Sequence, residues 1–180
     1  MRPARARSRG HVLPVSCGRI TKGSRTHKSI GLDADNRKGS VALSAMKDGP
    51  GLVLADENGN ARAGLTAEKD GPKLSLFDDN GKSRIGLLAK KDGPLLCLFD
   101  ENGKVRAGLD VNTLGPVLRL QDENGKVRVG LGALKDGPGL SLSDESAEVR
   151  VGLYATKDGP GLWLYDENGK TQVGLRALKD

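Results

Sequence analysis

One interval, 22 residues, governs this chain. Lys-Asp-Gly-Pro stands at Lys47–Pro50, Lys69–Pro72, Lys91–Pro94, Lys135–Pro138 and Lys157–Pro160. A worn copy reads Thr113-Leu114-Gly115-Pro116, and Lys179-Asp180 falls where the next copy begins. The spacing holds without insertion. A fixed period of this length marks a repeat architecture and outweighs any single-residue motif.

Each unit contains two alternating runs. In the first, the positions two and four after the proline are always leucine: Leu52 and Leu54, Leu74 and Leu76, Leu96 and Leu98, Leu118 and Leu120, Leu140 and Leu142, Leu162 and Leu164. The residues between them vary (Val53, Ser75, Cys97, Arg119, Ser141, Trp163). Apolar fixed against variable at period two describes a half-buried strand. In the second run Ala61, Ala63, Leu65 and Ala67 share one face, and Arg62, Gly64 and Thr66 the other. Leu87, Leu109, Leu131, Leu153 and Leu175 repeat Leu65. Antiparallel strands are expected at Leu52–Ala55 and Arg62–Ala67, and then every 22 residues.

The turns set the register. Asn58-Gly59 offers two residues tolerant of positive φ, as a two-residue type I′ hairpin needs. Centring the turn there pairs Glu57 with Asn60, Leu54 with Ala63 and Leu52 with Leu65. A slip of one residue would divide the leucines between faces. At Lys69-Asp70-Gly71-Pro72 the missing proline N–H argues for a four-residue loop, with Leu65 facing Leu76. Phe77 then lies opposite Gly64, Arg62 opposite Asp79, Arg84 opposite Glu101 and Arg106 opposite Glu123. The turn Glu145-Ser146-Ala147-Glu148 lacks Asn-Gly, so a looser hairpin is expected there. Leu114, replacing a turn aspartate, is expected at the surface.

Residues 28–46 read as an eroded first copy, with Ile30, Leu32, Val41 and Leu43 in the places of Leu52, Leu54, Ala63 and Leu65. Its turn begins Asp33-Ala34-Asp35, a hint of a calcium loop, but Ser44 occupies the place of the twelfth-position acid. The repeat domain is thus residues 28–180, one eroded and six clear units. Residues 1–27 mix Arg, Gly, Pro and Ser without periodicity and are expected to be a disordered basic segment. Residues 1–28 hold eight Arg and Lys and no acid, so the net charge of +6 belongs to them and the repeats are slightly acidic. This segment is the one place where nucleic acid or an acidic surface would bind. An Arg-rich, acid-poor transit-like segment and a leader without function are the other readings of it.

Chemistry-bearing residues are few. Both histidines, His11 and His27, precede the repeats. Cys17 and Cys97 have no metal-ligand spacing, and Cys97 is an ordinary substitution at the outward position of Val53 and Ser75. No phosphate-binding loop, nucleophile elbow or triad base is present, so no enzyme, cofactor, metal or small-molecule substrate is expected. No apolar run is long enough for a membrane span or a signal-peptide core, and the compartment, envelope or cytoplasm, stays open.

The pattern predicts an all-β fold, an up-and-down antiparallel meander of β-hairpins. Aromatics are only 3% of the chain, so its core must be aliphatic. Ordering each residue costs about 1–2 kcal/mol of backbone entropy. Burying a leucine returns about 1.5–3 kcal/mol, and only if something covers it. The ribbon must therefore curl over its own face or meet other copies. Three ribbons facing inward would form a triangular β-prism, about 9–10 Å of fibre per unit. A parallel β-solenoid shares the period but needs no hairpin turns. A leucine-rich repeat would need its asparagine one place earlier than Asn58.

The stretch Leu164–Leu175, LYDENGKTQVGL, and its siblings resemble bacterial tandem-repeat proteins with D-x-N-G-K-x-R-x-x-L and D-G-P-x-L units. The resemblance covers roughly residues 28–180 and implies no known activity or catalytic residue. Some members carry an N-terminal membrane helix and a coiled coil, patterns this sequence lacks. A likeness to YD repeats fails, because only Tyr165 supplies the tyrosine before the aspartate. The expected function is a structural or interaction module, a fibre or spacer, self-associating through its leucines, with a homotrimer favoured. Phe77, Phe99, Trp163 and Tyr165 are the expected outer contact surface. The alternative is a carbohydrate- or surface-ligand-binding module using Trp163 and Tyr165.

Overall fold

The computed structural model describes residues 28–33, 39–46 and 49–177. The expectations for the basic segment 1–27, and for most of the turn after Asp33, lie outside the described residues. Within them the chain forms β1 (Lys28–Asp33), β2 (Ser40–Met46), β3 (Gly49–Ala55), β4 (Ala61–Glu68), β5 (Gly71–Phe77), β6 (Ser83–Lys90) and β7 (Gly93–Phe99). There follow β8 (Val105–Asn112), β9 (Gly115–Gln121), β10 (Val127–Leu134), β11 (Gly137–Ser143), β12 (Val149–Thr156), β13 (Gly159–Tyr165) and β14 (Thr171–Arg176). They make one open sheet in sequence order, each strand paired with the next. All pairs are antiparallel, which removes the solenoid. The eroded first copy keeps the pattern, with Ile30 facing Leu43 and Leu32 facing Val41.

The expected pairs Leu52–Leu65 and Leu54–Ala63 are present, but the turn that produces them is not the two-residue type I′ turn. The Asp56 N–H donates to the Asn60 carbonyl at 2.9 Å, and the Gly59 N–H to the Asp56 carbonyl at 3.0 Å. The loop therefore has three residues, Glu57-Asn58-Gly59, and Asp56 rather than Glu57 faces Asn60. Only Gly59 takes positive φ, at 83°. The cause is the Asp56 carboxylate. Its Oδ1 accepts the N–H groups of Asn58 and Asn60, both at 2.9 Å, which holds Asn58 in an ordinary conformation. A type I turn closed by a left-handed glycine is the common three-residue hairpin. The odd loop shifts the register by one, and a bulge where Ala55 faces Ala61 shifts it back.

The turn at Lys69-Asp70-Gly71-Pro72 is also corrected. It has two loop residues, Lys69 and Asp70, and Glu68 faces Gly71. Leu65 consequently faces Leu74, not Leu76, which faces Ala63. Because the closing pair carries the hydrogen bonds, the next pair, Ala67–Pro72, carries none across this ladder. The missing proline N–H is thus turned away from β4, toward β6, whose ladder with β5 starts only at Lys73. The strand then begins at Gly49, Gly71 or Gly93, earlier than Leu52 and its equivalents suggested. These glycines are obligatory. Gly71 has φ 122°, and a Cβ there would run into the Ala89 carbonyl of β6; at Gly159 it would lie 2.6 Å from the Ala177 carbonyl oxygen.

The loop at Ala147 is not looser. The Ala147 N–H donates to the Asp144 carbonyl at 3.0 Å and Ser146 N–H to Asp144 Oδ1 at 2.8 Å, as in the loops at Asp56, Asp78, Asp100, Asp122 and Asp166. Ala147 adopts φ 70° to do so, a conformation that costs an L-residue about 1–2 kcal/mol. The aspartate imposes the turn, and the alanine carries the strain. Replacement Ala147→Gly should raise unfolding stability by about 1 kcal/mol, read from the shift of the urea midpoint at unchanged slope. No gain would mean that the turn does not take this form.

Candidate self-association face

The register collects the leucines into one line. Leu43 faces Leu52, Leu52 faces Leu65, Leu65 faces Leu74, and Leu74 faces Leu87. The line continues through Leu96, Leu109, Leu118 and Leu131 to Leu140, Leu153, Leu162 and Leu175. Every strand from β2 to β14 contributes one leucine. A parallel row holds Val41, Leu54, Ala63, Leu76, Ile85 and Leu98, and continues through Leu120, Leu142 and Leu164. On the other side lies a row of alternating alanines and prolines such as Ala67, Pro72, Ala89 and Pro94. At about 4.8 Å per strand the face runs about 60 Å, and its three rows span about 13 Å.

This face is uncovered in the single chain. Leu98 is 42% exposed and Leu175, at the edge, 63%. No large side chain among the described residues is fully buried. Near the start of the face Leu43, Ala45, Pro50, Leu52, Leu65 and Ala67 line an apolar hollow of about 470 Å³.

The opposite face is the better covered one. Ser75 and Cys97, expected to point into water, are 6% and 7% exposed. Each is flanked in the same row by glycines, Ser75 by Gly64 and Gly86, Cys97 by Gly86 and Gly108. Larger neighbours spread over these bare positions. The Phe77 ring comes within 3.6 Å of where a Gly64 Cβ would stand, and Phe99 within 3.4 Å at Gly86. Aromatic cover of the glycines was expected, though Ser75 rather than Phe77 is the residue directly opposite Gly64. Burial also pushes the Cys97 thiol pKa up, with Asp110 adding to it and Lys90 opposing. That keeps Cys97 a small apolar group rather than a nucleophile. Leu114 is 65% exposed, as expected.

Trp163 and Tyr165 lie at the far end of this face. With Tyr154, Thr156, Asp158 and Arg176 they line a cleft of about 290 Å³. Sequence reasoning missed Tyr154, although it lies on the strand next to Trp163 and on the same side of the sheet, facing Gly161 two residues before it. Phe77 and Phe99 do not join this cleft. Among the described residues no three His, Cys, Asp or Glu cluster as metal ligands, and no helix is long and apolar enough to cross a membrane.

Along the loop edge Arg62 finds the expected partner, and Arg84 and Arg106 do not. Arg62 meets Asp79, and also Asp56 at 3.3 Å. Arg84 and Arg106, however, pair with Asp78 and Asp100 of their own hairpins at 3.9 and 3.8 Å, not with Glu101 and Glu123. The bulge at each arginine brings it back over the loop aspartate. The next loop is reached instead by lysine: Lys104 Nζ donates to the Glu123 carbonyl at 2.7 Å and Lys126 Nζ to that of Glu145 at 2.8 Å. Such exposed charge pairs are each worth about 0–1 kcal/mol.

Hydrogen bonds from Asn60, Lys104 and Lys170 N–H hold the Asp56, Asp100 and Asp166 carboxyls below the ordinary range. At Asp122 and Asp144 burial pulls upward, but N–H donors and Arg128 or Arg150 outweigh it. Groups whose folded pKa is lowered stabilise the fold fully above their unfolded value, near pH 4, and lose that contribution as pH falls through the folded value. The urea midpoint should therefore be flat from pH 7 to about 5 and fall below about 4. Asp100→Asn, which keeps the Oδ1 acceptor but not the charge, should blunt that fall. A midpoint that rises on acidification would contradict this role for the aspartates.

Comparison of the chain with protein-family models and with curated proteins finds no match.

Proposed function

We propose that this chain is a non-catalytic structural repeat module, a β-ribbon fibre segment or spacer, whose leucine face is covered by further copies of itself. The supporting observation is the unbroken leucine row left open to solvent along the sheet. A face on the order of 800 Å² exceeds the largest apolar patch of a usual monomer, about 300–600 Å², and reaches the size of a standard interface per partner.

The occupant follows from the period. Anything that covers this face must present an apolar pattern that repeats every two strands, about 9.6 Å, over its whole length. A second copy of this chain does so at each position, without adjustment. Three copies suit the width. Sheets pack about 10 Å apart, so each must stand about 5 Å from a shared axis. A triangle of that inner radius has sides of about 17 Å, five residues of strand, which is the reach of the three apolar rows. The aspartate turns and arginines then line the outer edges, in water.

Mass in solution by light scattering should be three times that of one chain. Leu98→Asp should abolish the assembly and lower stability by several kcal/mol, because identical carboxylates would meet in apolar surroundings. Leu114→Asp makes the same chemical change at an exposed turn and restores the residue found at Asp70, Asp92 and Asp136, so it should be tolerated. A monomer at high concentration, or equal tolerance of both changes, would refute the proposal.

A further inference from the structure

We propose that the outer face over β12–β14 is a carbohydrate-binding platform, on which Tyr154, Trp163 and Tyr165 receive a pyranose residue of a polysaccharide. This site lies on the opposite side of the sheet from the leucine face and does not depend on how that face is covered.

The fold does not require these rings. The place of Trp163 is held by Val53, Ser75, Cys97, Arg119 and Ser141 in other units, and that of Tyr154 by Thr66, Leu88, Asp110 and Gly132. The same strands form with any of them. Only where the last two units meet do three aromatics converge, in a chain that is otherwise poor in them.

Glycines decide how the rings lie. A Cβ on Gly139 would come 2.5 Å from Tyr154 Cδ1, and one on Gly152 would strike the same ring from its own strand. A Cβ on Gly161 would strike the Trp163 ring, and one on Gly174 would lie 3.6 Å from its Cδ1. Both rings are therefore laid over bare backbone, with their outer faces toward the cleft. Their centroids are 5.7 Å apart and their planes inclined by 50°, so they form a shallow angled floor. Burial raises the Tyr154 hydroxyl pKa, with Tyr165 nearby adding to it, so that hydroxyl stays protonated and can donate.

The rim is polar. Asp158, Thr156 and Arg176 surround the floor, and Arg176 Nη2 is held by the Asp158 carbonyl at 2.7 Å. The other guanidinium N–H groups are donors fixed at the edge, and the Asp158 carboxylate is an acceptor. An aromatic floor with a donor-and-acceptor rim suits a ligand that has one apolar C–H face and a ring of hydroxyls. The C–H bonds of a pyranose carry the slight positive charge that an aromatic face attracts, and its hydroxyls both donate and accept. A wholly apolar ligand would leave the rim unpaired, and a phosphate would find one cation beside a carboxylate.

Trp163 is the one tryptophan of the chain, so its fluorescence reports this cleft alone. The full chain should be titrated with cellohexaose, chitohexaose and oligogalacturonate. Saturable change in emission with at least one of them supports the site. Tyr154→Thr, which installs the residue of Thr66, should weaken that binding about tenfold or more, with unchanged circular dichroism and melting temperature. Calorimetry on Trp163→Ser, which installs the residue of Ser141, should show the same loss. Absence of any spectral change up to about 10 mM of all three, or binding undiminished in both variants, would overturn the proposal.

Discussion

Each three-residue loop among the described residues opens on an aspartate whose carboxylate accepts two backbone N–H groups, and the register of the sheet follows from that contact. At Asp100 the donors are Asn102 and Lys104, at 2.9 and 3.0 Å. The contact fixes a three-residue loop. An odd loop turns the second strand over by one residue, so a bulge must follow if leucine is to meet leucine. The bulge in turn swings Arg106 over the same aspartate, whose second oxygen it approaches at 3.8 Å. Turn, bulge, ion pair and leucine row are one linked arrangement. The strain at Ala147 shows its order of precedence, because the backbone yields there before the aspartate contact does.

The sheet is a single layer, so its two faces have to meet water or each other's copies. The two solve this differently. On one face glycine alternates with a larger residue, and side chains spread sideways onto the bare positions; Phe77 over Gly64 is the clearest case. That face closes itself with residues already in the chain. From β2 onward the other face carries leucine or another apolar group at every position of three rows and has no bare floor onto which side chains could fold. Its exposure is a property of the pattern, and cover has to come from outside the chain.

Much of this was legible in the sequence because repetition multiplies a weak signal. Alternation at Leu52 and Leu54 alone would be ambiguous, but six copies in phase are not. The pairs Leu52–Leu65 and Leu54–Ala63 came out correctly through compensating errors: a two-residue loop without a bulge gives the same result as a three-residue loop with one. The Asp-Gly-Pro turn is not legible in the residue order, because a proline facing its hairpin partner calls for a longer loop, whereas here the missing N–H points to the opposite side. That depends on which pair closes the ladder, and nothing in the residue order states it. Burial at Ser75 and Cys97 was missed for a different reason. Variability at those positions suggested water, but their cover comes from the absence of side chains at the flanking glycines. Tyr154 was overlooked because only the register reveals that it lies beside Trp163.

Every strand in this sheet touches only the strands before and after it in sequence. Among the described residues no contact joins strands further apart in sequence than neighbours. Most β proteins fold slowly because they must close long loops before strands can pair; here, from β2 onward, each closure spans two or three residues. Pairing can begin at any hairpin and spread in both directions, as in other linear repeat arrays. The same locality makes length a free variable. A unit inserted or deleted at the 22-residue interval leaves every other ladder as it was, so the reach of such a ribbon can be altered by copying DNA in blocks, without redesigning a core.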